Sequence, residues 1–91
     1  MTQKFIAIVE IKNNLSKIKL KQILQAQQLK EAELSKDKIK VLIFEGNETE
    51  LFLKKTWFES TEIRQYLTLI DIGLAPNFEV KYKSKQIYSY N

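Results

Sequence analysis

The stretch from Lys38 to Trp57 constrains this chain most, because two apolar runs lie on either side of a Gly46-Asn47 break. Ile39, Val41, Leu42, Ile43 and Phe44 form the first run and Leu51, Phe52 and Leu53 the second, with turn formers and glutamates between. Residues of the first kind favour strands and Gly-Asn favours a turn, so the pattern predicts a β-hairpin. The length of the connection then decides which side chains share a face. A two-residue turn pairs Leu42 with Leu51 and mixes charge into both faces. A three-residue loop, or a bulge using the glycine, gathers Ile39, Val41, Ile43, Leu51 and Leu53 on one wholly apolar face, and this register is preferred. The other face carries Lys40, Leu42, Phe44, Glu50, Phe52 and Lys54, too apolar for bare solvent and too charged for a sealed core.

Before the hairpin, Phe5, Ala7, Val9 and Ile11 alternate with Ile6, Ile8 and Glu10, which predicts a central strand apolar on both faces. Asn14 or Ser16 can then cap a helix running to about Ser35 through strong helix formers from Leu24 to Glu31. Its early lysines, 17, 19 and 21, and its late Glu31 and Glu33 oppose the macrodipole, and alternation of lysine with Ile18 and Leu20 permits a rival strand over residues 17–24. After the hairpin, Thr56 with Glu59 matches a capping box, and Ser60 with Thr61 offers a second start. Ile63, Tyr66, Leu67 and Ile70 recur at helical spacing, and Gly73, Leu74 and Pro76 read as the stop. A last strand is expected from Phe78 through Val80 and Tyr82, with a short extra one ending at Tyr88 and Tyr90.

The order β-α-β-β-α-β predicts a ferredoxin-like α+β sandwich, a four-stranded antiparallel sheet with two helices on one face. Ninety-one residues suit one domain over 1–91. That fold leaves one sheet face uncovered, where parity places Ile6, Ile8, Lys40, Leu42, Phe44, Phe52 and Lys54. So large an apolar patch implies a partner, either another protein or a second copy as a homodimer. The first strand followed by Asn14-Leu15-Ser16 resembles the opening of an RNA-recognition motif, but residues 49–56 lack the glycine-aromatic octapeptide of its third strand, so no residue is carried over.

Composition narrows the chemistry. The chain has no cysteine and no histidine, which removes disulfides, thiol chemistry and the commonest general base and metal ligand, so neither metal nor cofactor is expected. Glu10, Glu59, Glu62 and Asp71 lack a paired partner at a spacing that shapes a site, and there is no glycine-rich phosphate loop. A non-enzymatic protein follows, with Glu10 and Asp71 the only candidates for a metal-dependent nuclease. No apolar run is long enough to span a bilayer and no signal-peptide pattern opens the chain, so a cytoplasmic location is expected. Of fifteen basic residues only Arg64 is an arginine, and Lys12, Lys17, Lys19, Lys21 and Lys30 follow one another with no acid between Ile11 and Lys30. With Lys81, Lys83 and Lys85 in the tail, the first four make a second candidate surface for RNA or single-stranded DNA.

Overall fold

The structure is a computed structural model that describes residues 2–12, 15–32 and 38–82. The described residues form an α+β fold with eight elements: β1 (Gln3–Ile11), α1 (Lys17–Ala26), β2 (Lys30–Glu31), β3 (Ile39–Gly46), α2 (Glu48–Glu59), α3 (Thr61–Arg64), β4 (Leu67–Leu74) and α4 (Ala75–Tyr82). The four strands form one antiparallel sheet in the order β2-β3-β1-β4. β1 is central, as its apolar alternation predicts, and Phe5 to Val9 are buried without a break.

The expected hairpin is the first correction. Residues 48–59 are helical, and Asn47 is the N-cap, its side chain accepting from the Glu50 backbone N–H at 3.2 Å. Glu48 and Glu50 place negative charge in the first turn, where the dipole favours it. Leu51, Lys54 and Phe58 recur at i, i+3 and i+7 and turn inward, while Phe52 and Leu53 are exposed. Thr56 caps nothing: its hydroxyl donates to the Phe52 carbonyl one turn back. Gly46 is required because a Cβ there would lie 2.4 Å from Glu50 Cγ, so strand and helix meet too closely for any side chain.

α1 begins where Ser16 predicts, with the Ser16 hydroxyl accepting from the Lys19 N–H at 3.1 Å, and the strand alternative for residues 17–24 falls. It stops nine residues before Ser35. Gln28 takes a left-handed backbone (φ 55°), Leu29 N–H bonds to the Leu24 carbonyl and Gln28 N–H to that of Gln25. This is a Schellman ending with glutamine in the position usually held by glycine.

The helix expected across residues 63–70 is instead the four-residue α3, capped by Ser60, followed by strand β4. The expected strand from Phe78 is helix α4, with Pro76 in its first turn, where a missing N–H costs nothing. The extra strand toward Tyr88 and Tyr90 lies outside the described residues.

Register assigns the two faces. Phe5, Ala7 and Val9 share one with Lys40, Leu42 and Phe44, while Ile6 and Ile8 share the other with Ile39, Val41 and Ile43. The alternation expected within residues 39–44 holds, but it joins β1 in the opposite sense. On the β4 side, Ala7 faces Ile72 and Val9 faces Leu69, so Ile70 is an extra, bulged residue. That bulge restores parity: Leu67 and Leu69 before it and Ile72 and Leu74 after it all meet the first face. This face is covered by side chains of α1, α2 and α3, and the second by Ala75 and Phe78 of α4. A Cβ at Gly73 would lie 3.3 Å from the Phe78 ring, so the glycine seats it.

Two substitutions test these backbone assignments. Gly46→Ala is expected to destabilise the fold by ~1–3 kcal/mol through overpacking against Glu50. Gln28→Gly relieves a left-handed non-glycine residue and is expected to stabilise by up to about 1 kcal/mol. Urea midpoints should move in opposite directions; a shift in the same direction would contradict one of the two assignments.

Candidate functional site

A cleft of about 800 Å³ opens where α1 crosses the end of the sheet. Its position follows from two backbone contacts. Ile11 N–H bonds to the Lys38 carbonyl at 2.7 Å, bringing the end of β1 beside the start of β3, and Lys12 N–H bonds to the Tyr66 carbonyl at 2.9 Å. α1 then contributes Lys17, Leu20, Lys21, Leu24 and Gln25, which fall on one helical face at i, i+3, i+4, i+7 and i+8. Leu20, Leu24 and Leu29 are buried in the core and form the floor with Ile11 and Leu15.

The rim is cationic. Lys12, Lys17, Lys21, Lys38 and Lys40 line the cleft, against a single acid among the described residues, Glu31. Glu31 is already engaged, 3.0 Å from Lys40 Nζ, because the β2–β3 register sets it opposite Leu42 on the same face as Lys40. Lys12 Nζ donates to the Arg64 carbonyl at the end of α3, a favourable place for a cation. Lys17 and Lys21 make no ion pair among the described residues. They stand one turn apart, Lys17 in the first turn, where the dipole disfavours a cation and where α1 has no acid. Lys17 therefore adds nothing to fold stability through the helix dipole.

The structure divides the residues expected to form a partner face. Ile6 and Ile8 lie beneath α4, and Leu42 and Phe44 lie in the core on the opposite side of the sheet, with Phe44 stacked on Phe5 at 5.2 Å. Lys54 is buried, 3.5 Å from Glu50 and with its ammonium 5.5 Å from the Phe44 ring centre. Lys40 belongs to the cleft. Only Phe52 remains strongly exposed, on α2. The common uncovered face is therefore corrected: α4 fills the place expected to be bare, and the strand meant to carry Phe52 and Lys54 is a helix.

The structure brings only part of the lysine set together. Lys12, Lys17 and Lys21 come together at the cleft, while Lys19 points elsewhere, over the Tyr66 ring at 5.7 Å. Lys81 lies in α4 with its side chain outside the described ones, and Lys83 and Lys85 lie outside the described residues altogether. Lys38 and Lys40 join the cleft through strand pairing, which no local pattern announces. Trp57 and Phe58, near the end of α2, stack edge to face, Phe58 buried and Trp57 half-buried. Glu10 and Asp71 sit on the α4 side of the sheet, opposite Thr68 and Ile8, and among the described residues no group of three or more acids forms that could hold a metal. Nor is any described helix long and apolar enough to cross a membrane.

Lys17→Glu is expected to raise stability slightly, by about 0.3–1 kcal/mol, by placing an acid in the first turn of α1. Thermal unfolding at low salt measures it. A lower Tm would mean that Lys17 has a stabilising partner in the fold. No protein-family model, curated protein or solved structure matches this chain.

Proposed function

We propose that this chain is a small non-enzymatic interaction protein that binds an anionic macromolecule in the lysine-rimmed cleft beside α1. The observation that carries the reading is the charge of the lining: five lysines converge on one concave surface, Lys17 and Lys21 without an ion pair among the described residues, and the one described acid there, Glu31, is paired with Lys40. A cleft focuses such a field and speeds the arrival of an oppositely charged partner. The absence of arginine from the lining fits attraction by point charges better than bidentate reading of phosphates. No aromatic side chain lines the cleft among the described residues, so bases would find no stacking surface there.

The ferredoxin-like sandwich is the finer fold reading that goes with this function. Its support is that β1 has β3 and β4 as antiparallel neighbours, with helices following β1 and β3 as in a split βαβ unit. α3 and the covering helix α4 are additions to that plan.

Binding to a fluorescent polyanion, poly-glutamate or a single-stranded oligonucleotide, tests the function. Affinity should fall with salt; for the oligonucleotide, about three contacting lysines give a log–log slope of roughly −2. Lys17→Glu with Lys21→Glu should remove binding, whereas Lys55→Glu, exposed on α2, should change it little. No binding by the wild type at low salt, or equal loss in both variants, would sink the cleft as the site.

A further inference from the structure

The N-terminal turn of α1 breaks several helix rules in consecutive residues. Lys17 and Lys19 put cations where the dipole wants acids, and Ile18 between them is β-branched and 74% exposed, the most exposed of the large apolar side chains described. Its neighbours in the helix cannot bury it. At 100° per residue, Ile18 stands about 60° around the axis from Lys21, next to the cleft-lining face of α1 though not in the lining itself. Lys19 has a partner in the Tyr66 ring, but Lys17 and Ile18 contradict local preference with no such return, and a role at the surface is the physical explanation for that pair.

Resting on the polyanion reading above, we infer that the partner is an acidic amphipathic helix of another protein, anchored on Ile18 with its carboxylates on Lys17 and Lys21. The pattern of the site selects this partner over a nucleic acid. Lys17 and Lys21 rise about 6 Å apart along α1, the same rise as two acids one turn apart on a facing helix. Ile18 supplies an aliphatic anchor that a phosphate backbone does not use and a partner leucine or phenylalanine does. Carboxylates docked there also reach the positive end of the α1 dipole, reversing the local penalty the lysines impose on the free protein. Apolar contact inside a charged ring is the arrangement in which a few residues dominate binding.

The probe is a synthetic helical peptide with a leucine stripe flanked by glutamates at i and i+4, titrated by anisotropy alongside a labelled oligothymidylate. The wild type should bind the peptide more tightly than the oligonucleotide, and a version with lysine for every glutamate should not bind. Ile18→Ala keeps the helix, since alanine is the better helix former, and should weaken the peptide by about ten-fold while leaving its salt dependence and the oligonucleotide unchanged. Lys17→Gln with Lys21→Gln should weaken both ligands and flatten both salt curves. If Ile18→Ala binds the peptide as the wild type does, or the oligonucleotide binds more tightly than the peptide, the acidic-helix inference is overturned while the polyanion reading stands. If the lysine variants also bind unchanged, or no ligand binds, both fall.

Discussion

The architecture depends on β1 being apolar on both faces. Phe5 to Val9 are buried in succession, so the sheet needs a cover on each side, and a sandwich with helices on one face alone would leave Ile6 and Ile8 in water. α4 answers that need with Phe78, using the space Gly73 leaves, and the other helices close the opposite side. The bulge at Ile70 follows from the same constraint. β4 must present leucines and isoleucines to one face along its whole length, and strict alternation would have put Asp71 and Gly73 there.

Much of this was legible in the chain, though not through the stretch that looked most informative. The central strand and the Ser16 cap were readable because both rest on local chemistry: alternation in one case, a side-chain acceptor in the other. The region 47–59 misled because Leu51-Phe52-Leu53 is a compact apolar triplet, while the deciding signal was polar. Asn47 followed by Glu48 and Glu50 is a helix start, and capping chemistry outweighed strand preference. Residues 63–74 misled in the opposite direction: the bulge broke the two-residue period and left an accidental helical one through Ile63, Tyr66, Leu67 and Ile70. The end of α1 carried no signal, because a glutamine stands in the left-handed position.

The site divides along the same line. The run of lysines without acids from Lys12 to Lys30 was visible as composition, and helical spacing is enough to bring Lys17 and Lys21 together. Lys38 and Lys40 reach the cleft only because β3 pairs with β1, a contact between residues far apart in the chain. The expected partner face fails for a global reason: the segment from Phe78, which reads locally as a strand, is the covering helix α4. Among the described residues, the large apolar side chains left to solvent are Ile18 in the first turn of α1, Phe52 and Leu53 on α2, and the bulged Ile70 of β4.

The position of β1 in the chain also shapes how the protein is made. Its partners are distant in sequence, Phe5 facing Phe44 on one side and Leu74 on the other, so the central strand cannot be completed by local contacts. Such long loops must close before their contacts repay the lost entropy, which slows folding relative to helical proteins of the same size. During synthesis β1 emerges before the strands that complete it, apolar on both faces, and β4 and α4 follow only after the elements between. The newborn chain therefore carries an apolar strand with both edges unpaired, the kind of segment that pairs with wrong edges until its own partners arrive.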